Sequence, residues 1–404
     1  MALLDSLRYR SFAFLWSGQA VSRFGDSLYR VALSWWVFEV IGSPEAMGTI
    51  QALAFAPMLI FMLVGGVMVD RMPRLRVMLG ADILSGLVIL SVAALAFSGQ
   101  LQLWHLFVAS VLFGFVESFF YPAYNAVVPD LVPETARPSA NSLTRLGHDI
   151  TGVAGPAVGA WIVQVGGTAM GFLLNGLSFI LASVMIVPVL LTGGEPVRTR
   201  PARTSALRDL GEGVKEVTAN PWLWITIAVF GLINITAGSP ASVAMPFLVG
   251  DNLNADVGVL GLFHSMFAAG SILAALGLGR LKRIRRRGLL AYGATLLNGV
   301  VTLMYGLVPS IPVLMVVSLL RGVAVSVFGL IWINTLQEMV PREKLGRVTS
   351  IDALGSFVLL PIGLALVGWA TAAFGAPAVF IAGGLLTVVM ALVPLLHPAI
   401  RNLD

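Results

Sequence analysis

Of the 25 Lys and Arg residues of this chain, 22 fall in every second gap between long apolar segments and three, Arg23, Arg30 and Arg321, lie inside such segments, an alternation that constrains the fold more than any single motif. One set of gaps holds Arg8 and Arg10, then Arg71, Arg74 and Arg76, then Arg137 and Arg145, and then Arg198 to Lys215. The same set continues with Arg280 to Arg287, Arg342 to Arg347 and Arg401. The other set, around Gly42 to Pro44, Ser98 to Gln102, Gln164 to Thr168, Gly250 to Asp256, Val308 to Ser310 and Ala372 to Ala376, contains no Lys or Arg. Because Lys and Arg are retained on the cytoplasmic side of a membrane, the pattern predicts both termini inside and an even number of crossings.

Composition agrees with this reading. A chain that is 57% hydrophobic and 11% charged cannot hide its apolar surface in a water-soluble core and must be solvated by lipid. Windows of about 20 apolar residues, enough to cross roughly 30 Å of hydrocarbon, predict spans at 12–40, 46–69, 76–98, 103–128, 141–164 and 169–191. A second set follows at 221–249, 257–280, 288–308, 312–337, 347–370 and 376–397. The first span is interrupted by Arg23 and Asp26 and lacks a cleavage signal, so it reads as a retained helix and not a secretory leader. The charged stretch 192–219, with Pro196 and Pro201, reads as a cytoplasmic linker and the only long loop.

The two sets share a register when one is shifted by 208 residues: Trp16 falls on Trp224, Gly114 on Gly322, Asp130 on Glu338, Val132-Pro133 on Val340-Pro341 and Gly147 on Gly355. The expected fold is therefore all-α and integral to the membrane, with twelve transmembrane helices in two pseudo-symmetric six-helix bundles, 1–191 and 220–404. The net charge of +5 is spread over loops rather than gathered on one face, which argues against nucleic-acid binding. The chain has no Cys, and His105, His148, His264 and His397 show no ligand spacing, so no metal or other cofactor is expected. His264 reads as an ordinary buried histidine.

Certain stretches carry a family likeness. The second span ends in Gly66-Val-Met-Val-Asp70-Arg71-Met-Pro73-Arg74-Leu-Arg76, and the fifth contains Gly152-Val-Ala-Gly155-Pro156-Ala-Val-Gly159. The first half also contains Phe14-Leu-Trp-Ser-Gly-Gln, Gly25-Asp26-Ser-Leu-Tyr-Arg-Val-Ala-Leu33, Tyr121-Pro-Ala-Tyr-Asn-Ala-Val-Val-Pro-Asp-Leu-Val-Pro-Glu134 and Ala140-Asn-Ser-Leu143. Together these resemble the major facilitator superfamily and, within it, the branch of macrolide-type and enterobactin-type exporters. Pro73 stands where the family's loop motif usually has a second Gly, and Thr151 and Ala160 replace glycines of its antiporter motif. The resemblance implies a secondary transporter that alternates between inward-open and outward-open states, usually by proton antiport, with the first, fourth, seventh and tenth spans around a central cavity. It also implies gating roles for Asp70, Arg71 and Arg74 at the loop and for Gly155 and Pro156 in the fifth span. Asp82 and Asp149 lie one to two turns inside helix ends, Arg145 four residues before Asp149, and read as gate or packing charges.

A charge in hydrocarbon costs at least about 2.5–3.5 kcal/mol, so its presence marks a cavity or a relay. Arg23, Asp26 and Arg30 share one helix face at i, i+3 and i+7; Glu117 lies in the fourth span and Arg321 in the tenth. Asp26, between two arginines, is expected to stay ionised and orient its neighbours. Glu117, with no basic residue on its own helix, is the candidate carrier of a coupling proton unless Arg321 reaches it. A static ion-pair cluster is the alternative. Tyr29, Phe115, Phe119 and Tyr121 are candidate cavity residues in the first half, and Asn234, Trp332 and Asn334 in the second, while Trp35 and Trp36 suit an interfacial aromatic belt. An apolar, aromatic pocket with few charges suits a bulky amphiphile.

The sequence therefore predicts a monomeric, multi-pass transporter of a prokaryotic inner membrane, with both termini cytoplasmic. It is expected to expel amphiphilic small molecules such as drugs in exchange for protons. The alternatives are export of an anionic metabolite such as a siderophore and flipping of a lysophospholipid. A membrane-embedded enzyme is disfavoured, since the spans hold no paired His with carboxylate and no Ser with a base at triad spacing.

Overall fold

The computed structural model describes residues 4–69, 72–191, 206–281 and 284–404, with the backbone alone at 62–69 and 206–210. Among the described residues the chain is almost entirely helical and has no strand. The helices are α1 (Arg10–Trp36), α2 (Pro44–Val69), α3 (Arg74–Phe97) and α4 (Leu103–Val127). The stretch Arg137–Leu191 follows, broken at Gly167, whose φ of 75° and ψ of 171° reverse the chain between α5 (137–166) and α6 (168–191). Only a residue without a Cβ adopts that conformation cheaply, which fixes the turn at this glycine.

The later helices are α7 (Ala206–Ala219), α8 (Pro221–Ile233), α9 (Val257–Gly279), α10 (Arg287–Leu307), α11 (Ile311–Met339), α12 (Arg342–Phe357), α13 (Leu360–Phe374) and α14 (Ala376–Leu392). Between α8 and α9 the chain continues through π-helical turns at Asn234–Gly238 and Leu248–Asn252. Ten helical stretches among the described residues are long and apolar enough to cross a membrane. The stretch Glu134–Leu191 among them contains two helices, and α1 is a further long helix whose charges lower its hydropathy. The total is compatible with twelve crossings.

The chain forms two compact units, one of residues 1–199 with 256–265, the other of 200–255 with 266–404. In the first, α1 packs along α5 and α6, α3 lies against α4 and the α5–α6 pair, and α2 lies against α4. In the second, α10 packs on α14 and α11. The repeated positions do the same work in each unit. A Cβ on Gly114 would fall 2.0 Å from the Ala54 carbonyl oxygen, and one on Gly322 1.8 Å from that of Phe267. Both glycines therefore let two backbones touch, which is how helices associate in lipid, where no hydrophobic force draws them together. Asp130 pairs with Arg74 at 2.9 Å, and Glu338 with Arg287, so each unit ties the end of one helix to the start of the helix before it.

The stretch expected to be a loop is helical in its second half. In α7, Val217 is buried against Leu223, Ile227, Leu336, Val340 and Val348, while Glu212 pairs with Arg347 at 2.5 Å and Glu216 with Lys344 at 2.6 Å. The acidic and apolar residues of the linker thus alternate with a helical period that a reading of net polarity overlooks. Residues 192–205 of the linker lie outside the described residues.

Gly114→Ala and Gly322→Ala are each expected to lower stability by about 1–3 kcal/mol through overpacking. Gly80→Ala, with no atom within 4 Å of its added Cβ, should be neutral or stabilising. Thermal unfolding of the purified protein in detergent would compare them.

Candidate functional site

Small residues bring α1 into contact with its neighbours at the turn that carries Asp26. A Cβ on Gly25 would fall 2.1 Å from Ser178 Oγ and 2.5 Å from Asn175 Oδ1 of α6. On the other side, one on Gly155 would fall 2.5 Å from Ser27 Cβ, and one on Gly159 3.1 Å from Leu28 Cα. Gly155 and Pro156 are buried, so the Gly-Pro motif of α5 packs on the charged turn of α1.

The remaining face of α1 opens onto a cavity of about 320 Å³ between α1, α2 and α4. Asp26, Tyr29 and Arg30 of α1, Gln51 of α2, and Phe113 and Glu117 of α4 are among its walls. Glu117 is half-buried and, among the described residues, makes no hydrogen bond or ion pair. Tyr29 is buried, its ring 6.3 Å from that of Phe113 and 5.6 Å from that of Phe172. The site is thus an aromatic and apolar pocket with two carboxyl groups and one guanidinium.

Among the described residues no salt bridge joins Asp26 to Arg23 or Arg30, so the static ion-pair cluster is not formed there. Arg30 Nη2 donates instead to Ser27 Oγ at 3.0 Å, and the Arg23 guanidinium lies 4.9 Å from the centre of the Tyr124 ring. A cation–π contact holds Arg23, and one hydroxyl holds Arg30 while leaving most of its donors toward the cavity. Among the described residues Asp26 Oδ1 and Asn175 Nδ2 are both enclosed without a hydrogen-bond partner. Arg321 belongs to the second unit, where its Nη2 donates to the Ala237 carbonyl at 2.9 Å and its guanidinium lies 5.3 Å from the Phe267 ring centre. Ala237 lies in the π-helical turn Asn234–Gly238, and such turns often mark functional sites.

The aromatic residues that line the cavity are Tyr29, Phe55 and Phe113, the last one turn before Glu117, and its lining does not include Phe115, Phe119 or Tyr121. Phe115 and Phe119 stand two residues either side of Glu117, about 200° round the helix, where their rings meet edge-to-face at 5.1 Å and Phe61 meets Phe115 edge-to-face at 5.0 Å. Tyr121 is exposed one turn beyond. Phe113 and Tyr121 are both four residues from Glu117, and the packing of α4 on α1 and α2 brings only Phe113 to the cavity. Trp36 is buried, and His264 is exposed, with Nδ1 2.9 Å from the Leu260 carbonyl oxygen.

In the second unit, Asn234 Nδ2 donates to the Ser356 carbonyl at 2.8 Å, Trp332 Nε1 donates to Asp352 Oδ2 at 3.0 Å, and Asn334 is exposed. Asp352 was not singled out by the sequence. Of the gating residues, Asp70 and Arg71 lie outside the described residues. Arg74 donates to the Ala126 carbonyl and Asp130, and Arg145 pairs with Asp149 at 3.2 Å, with His148 Nδ1 3.7 Å from the same carboxylate.

Gly25→Ala is expected to push α1 from α6 and to cost about 1–3 kcal/mol. Adding Ser178→Ala, which removes the nearest clashing atom, should recover part of that loss in thermal unfolding.

The whole chain has relatives among characterised proteins. It is 26% identical over 396 residues to macrolide efflux protein A of Streptococcus pyogenes, covering 97% of each chain. It is 27% identical over 391 residues to the multidrug efflux pump Tap of Mycobacterium tuberculosis, covering 94% of this chain and 91% of the relative. Solved structures with the same fold include the nucleoside transporter NupG, with a TM-score of 0.72 at 13% identity over 97% of this chain and 98% of that one. A bacterial homologue of the iron transporter ferroportin in its inward-facing state gives 0.71 at 17% identity, over 97% and 100%. The family model described as transmembrane secretion effector (MFS_3) matches residues 2–329. The protein is thus a multi-pass membrane transporter of the major facilitator fold and belongs to the transmembrane secretion effector family.

Proposed function

We propose that this chain exports bulky amphiphilic compounds, drugs among them, across a prokaryotic inner membrane in exchange for protons. The observation that carries the reading is the cavity of the first unit. There Glu117 and one Asp26 oxygen, neither with a partner among the described residues, meet the rings of Tyr29 and Phe113. The relatives' names, macrolide efflux protein and multidrug efflux pump, support the substrate class.

In this scheme the Glu117 carboxyl group holds either a proton or the polar end of the amphiphile. Facing outward it takes a proton and lets the substrate go; facing inward it releases the proton and accepts the next substrate. The aromatic walls contribute apolar contact without fixing one shape, which suits a range of substrates. Asp26 and Arg30 arrange the polar end of the cavity, and Arg23 and Arg321 complete the charge network. Asn234, Trp332 and Asn334 contribute from the second half. Asp70, Arg71, Arg74, Arg145 and Asp149 open and close the cytoplasmic side, and Gly155 and Pro156 provide the packing against which α1 moves. The two halves, 1–191 and 220–404, alternate as a monomer with both termini in the cytoplasm.

One observation favours a second reading. Arg30 lines the cavity with no carboxylate partner among the described residues, which would suit an anionic metabolite such as a siderophore, or a lysophospholipid headgroup.

Inside-out vesicles loaded to be acidic within would test the first reading with ethidium as the probe. The wild type should accumulate ethidium only while the gradient lasts, and Glu117→Gln should fall to the level of vesicles without the protein. Equal accumulation by the variant would remove Glu117 from the coupling role. No accumulation by folded wild type, with uptake of an anionic siderophore instead, would favour the second reading.

A further inference from the structure

Asp82 of α3 is a third acidic residue inside the first unit, and it lies outside the cavity. Its side chain is 1% exposed and accepts one hydrogen bond, from Gln19 Nε2 of α1 at 2.9 Å. Among the described residues it has no ion pair. The charges that act on it are those of Glu117 on α4 and Asp26 on α1, both carboxylates. The cations of the elements packed around it face other groups or solvent: Arg30 of α1 donates to Ser27, and Arg10 of α1 and Arg76 of α3 are exposed. Arg23 of α1 lies over Tyr124, Arg74 of α3 is tied to Asp130, and Arg145, His148 and Asp149 of α5 contact one another. A carboxylate enclosed with one neutral hydrogen bond and no cation is costly to keep. Such a group is suited to be the neutral acid while enclosed and to give up its proton when water reaches it.

The three carboxyl groups also lie at graded depths. At 1.5 Å per residue, Asp82 is about 12 Å along α3 from Arg74, Glu117 about 15 Å from the Val127 end of α4, and Asp26 about 24 Å from the Arg10 end of α1. Phe12 and Leu15, Leu75 and Val127 pack in one cluster, so these helix ends share one end of the unit. The cavity reaches Asp26 and Glu117 and stops short of Asp82.

We propose that Asp82 is a second proton-carrying residue, standing between Glu117 and the aqueous face at which α3 begins. The inference rests on the reading that transport is coupled to protons. The O–H bond of the Glu117 acid breaks as one forms on the Asp82 carboxylate, directly or across one water, and Asp82 then releases that proton to the cytoplasm. The Gln19 amide donates to the carboxylate while it is empty and holds it in place. Since Asp82 does not line the cavity, it touches protons and not substrate.

The test separates driven transport from exchange in proteoliposomes with ethidium as the probe. Asp82→Asn should lose accumulation driven by a pH gradient and keep ethidium counterflow, which needs no net proton movement, at the wild-type rate. Driven accumulation that persists in Asp82→Asn overturns the proposal. So does parallel loss of both activities in protein with wild-type unfolding temperature and elution volume, since that would mark a structural residue. If Asp82→Asn does not fold, Asp82→Glu keeps the carboxyl group one methylene further out and should shift the pH profile of driven accumulation; an unchanged profile overturns the proposal. Wild type that ignores the gradient overturns proton coupling itself, a result distinct from failure at Asp82 alone.

Discussion

A carboxyl group inside hydrocarbon has no water to solvate it, so it must be paired, protonated or given a cavity. The first unit holds its carboxyl groups in three different settings. Asp130, at a helix end, is paired with Arg74; Glu117 and Asp26 open onto a cavity; Asp82 is enclosed with a single amide. The last two conditions are those under which a group changes its protonation as the protein changes shape. Paired groups fix geometry, and unpaired ones are free to do chemistry.

Close packing of small residues makes this arrangement possible. Gly25 admits α6 against α1, and Gly155 and Gly159 admit α5, so the turn carrying Asp26 has no room to slide sideways. The same device recurs at Gly114 and Gly322, and the ion pairs Arg74–Asp130 and Arg287–Glu338 repeat with it. The scaffold is duplicated while the chemistry is not. The second unit holds Arg321 on a carbonyl of a π-helical turn and Asp352 on the Trp332 indole, an arrangement with no counterpart among the carboxyl groups of the first.

Helix positions were legible because the hydrophobic spans and basic gaps report directly on the bilayer. The reversal at Gly167 and the helical start at Arg74 fall where the apolar windows end. The repeat was legible at Asp130 and Glu338 because an ion pair needs particular residue types. The site was less so. Charge alone pointed to Asp26 and Glu117, but the helical period does not single out the aromatic lining, since Phe113 and Tyr121 are both four residues from Glu117 and only Phe113 lines the cavity. The partners of Arg23 and Arg30, a tyrosine ring and a serine, depend on tertiary neighbours that no local spacing encodes. The helix α7 was hidden because its apolar stripe is narrow and docks on Val340 and Val348 across a wide sequence separation.

The central claim is that substrate and proton compete for one carboxyl site. It is tested most directly by adding ethidium to the purified protein in weakly buffered detergent solution and following the pH with an indicator dye. The account predicts that binding releases protons from wild type and that Glu117→Gln releases fewer at equal occupancy. Saturating binding to wild type with no proton release would contradict it.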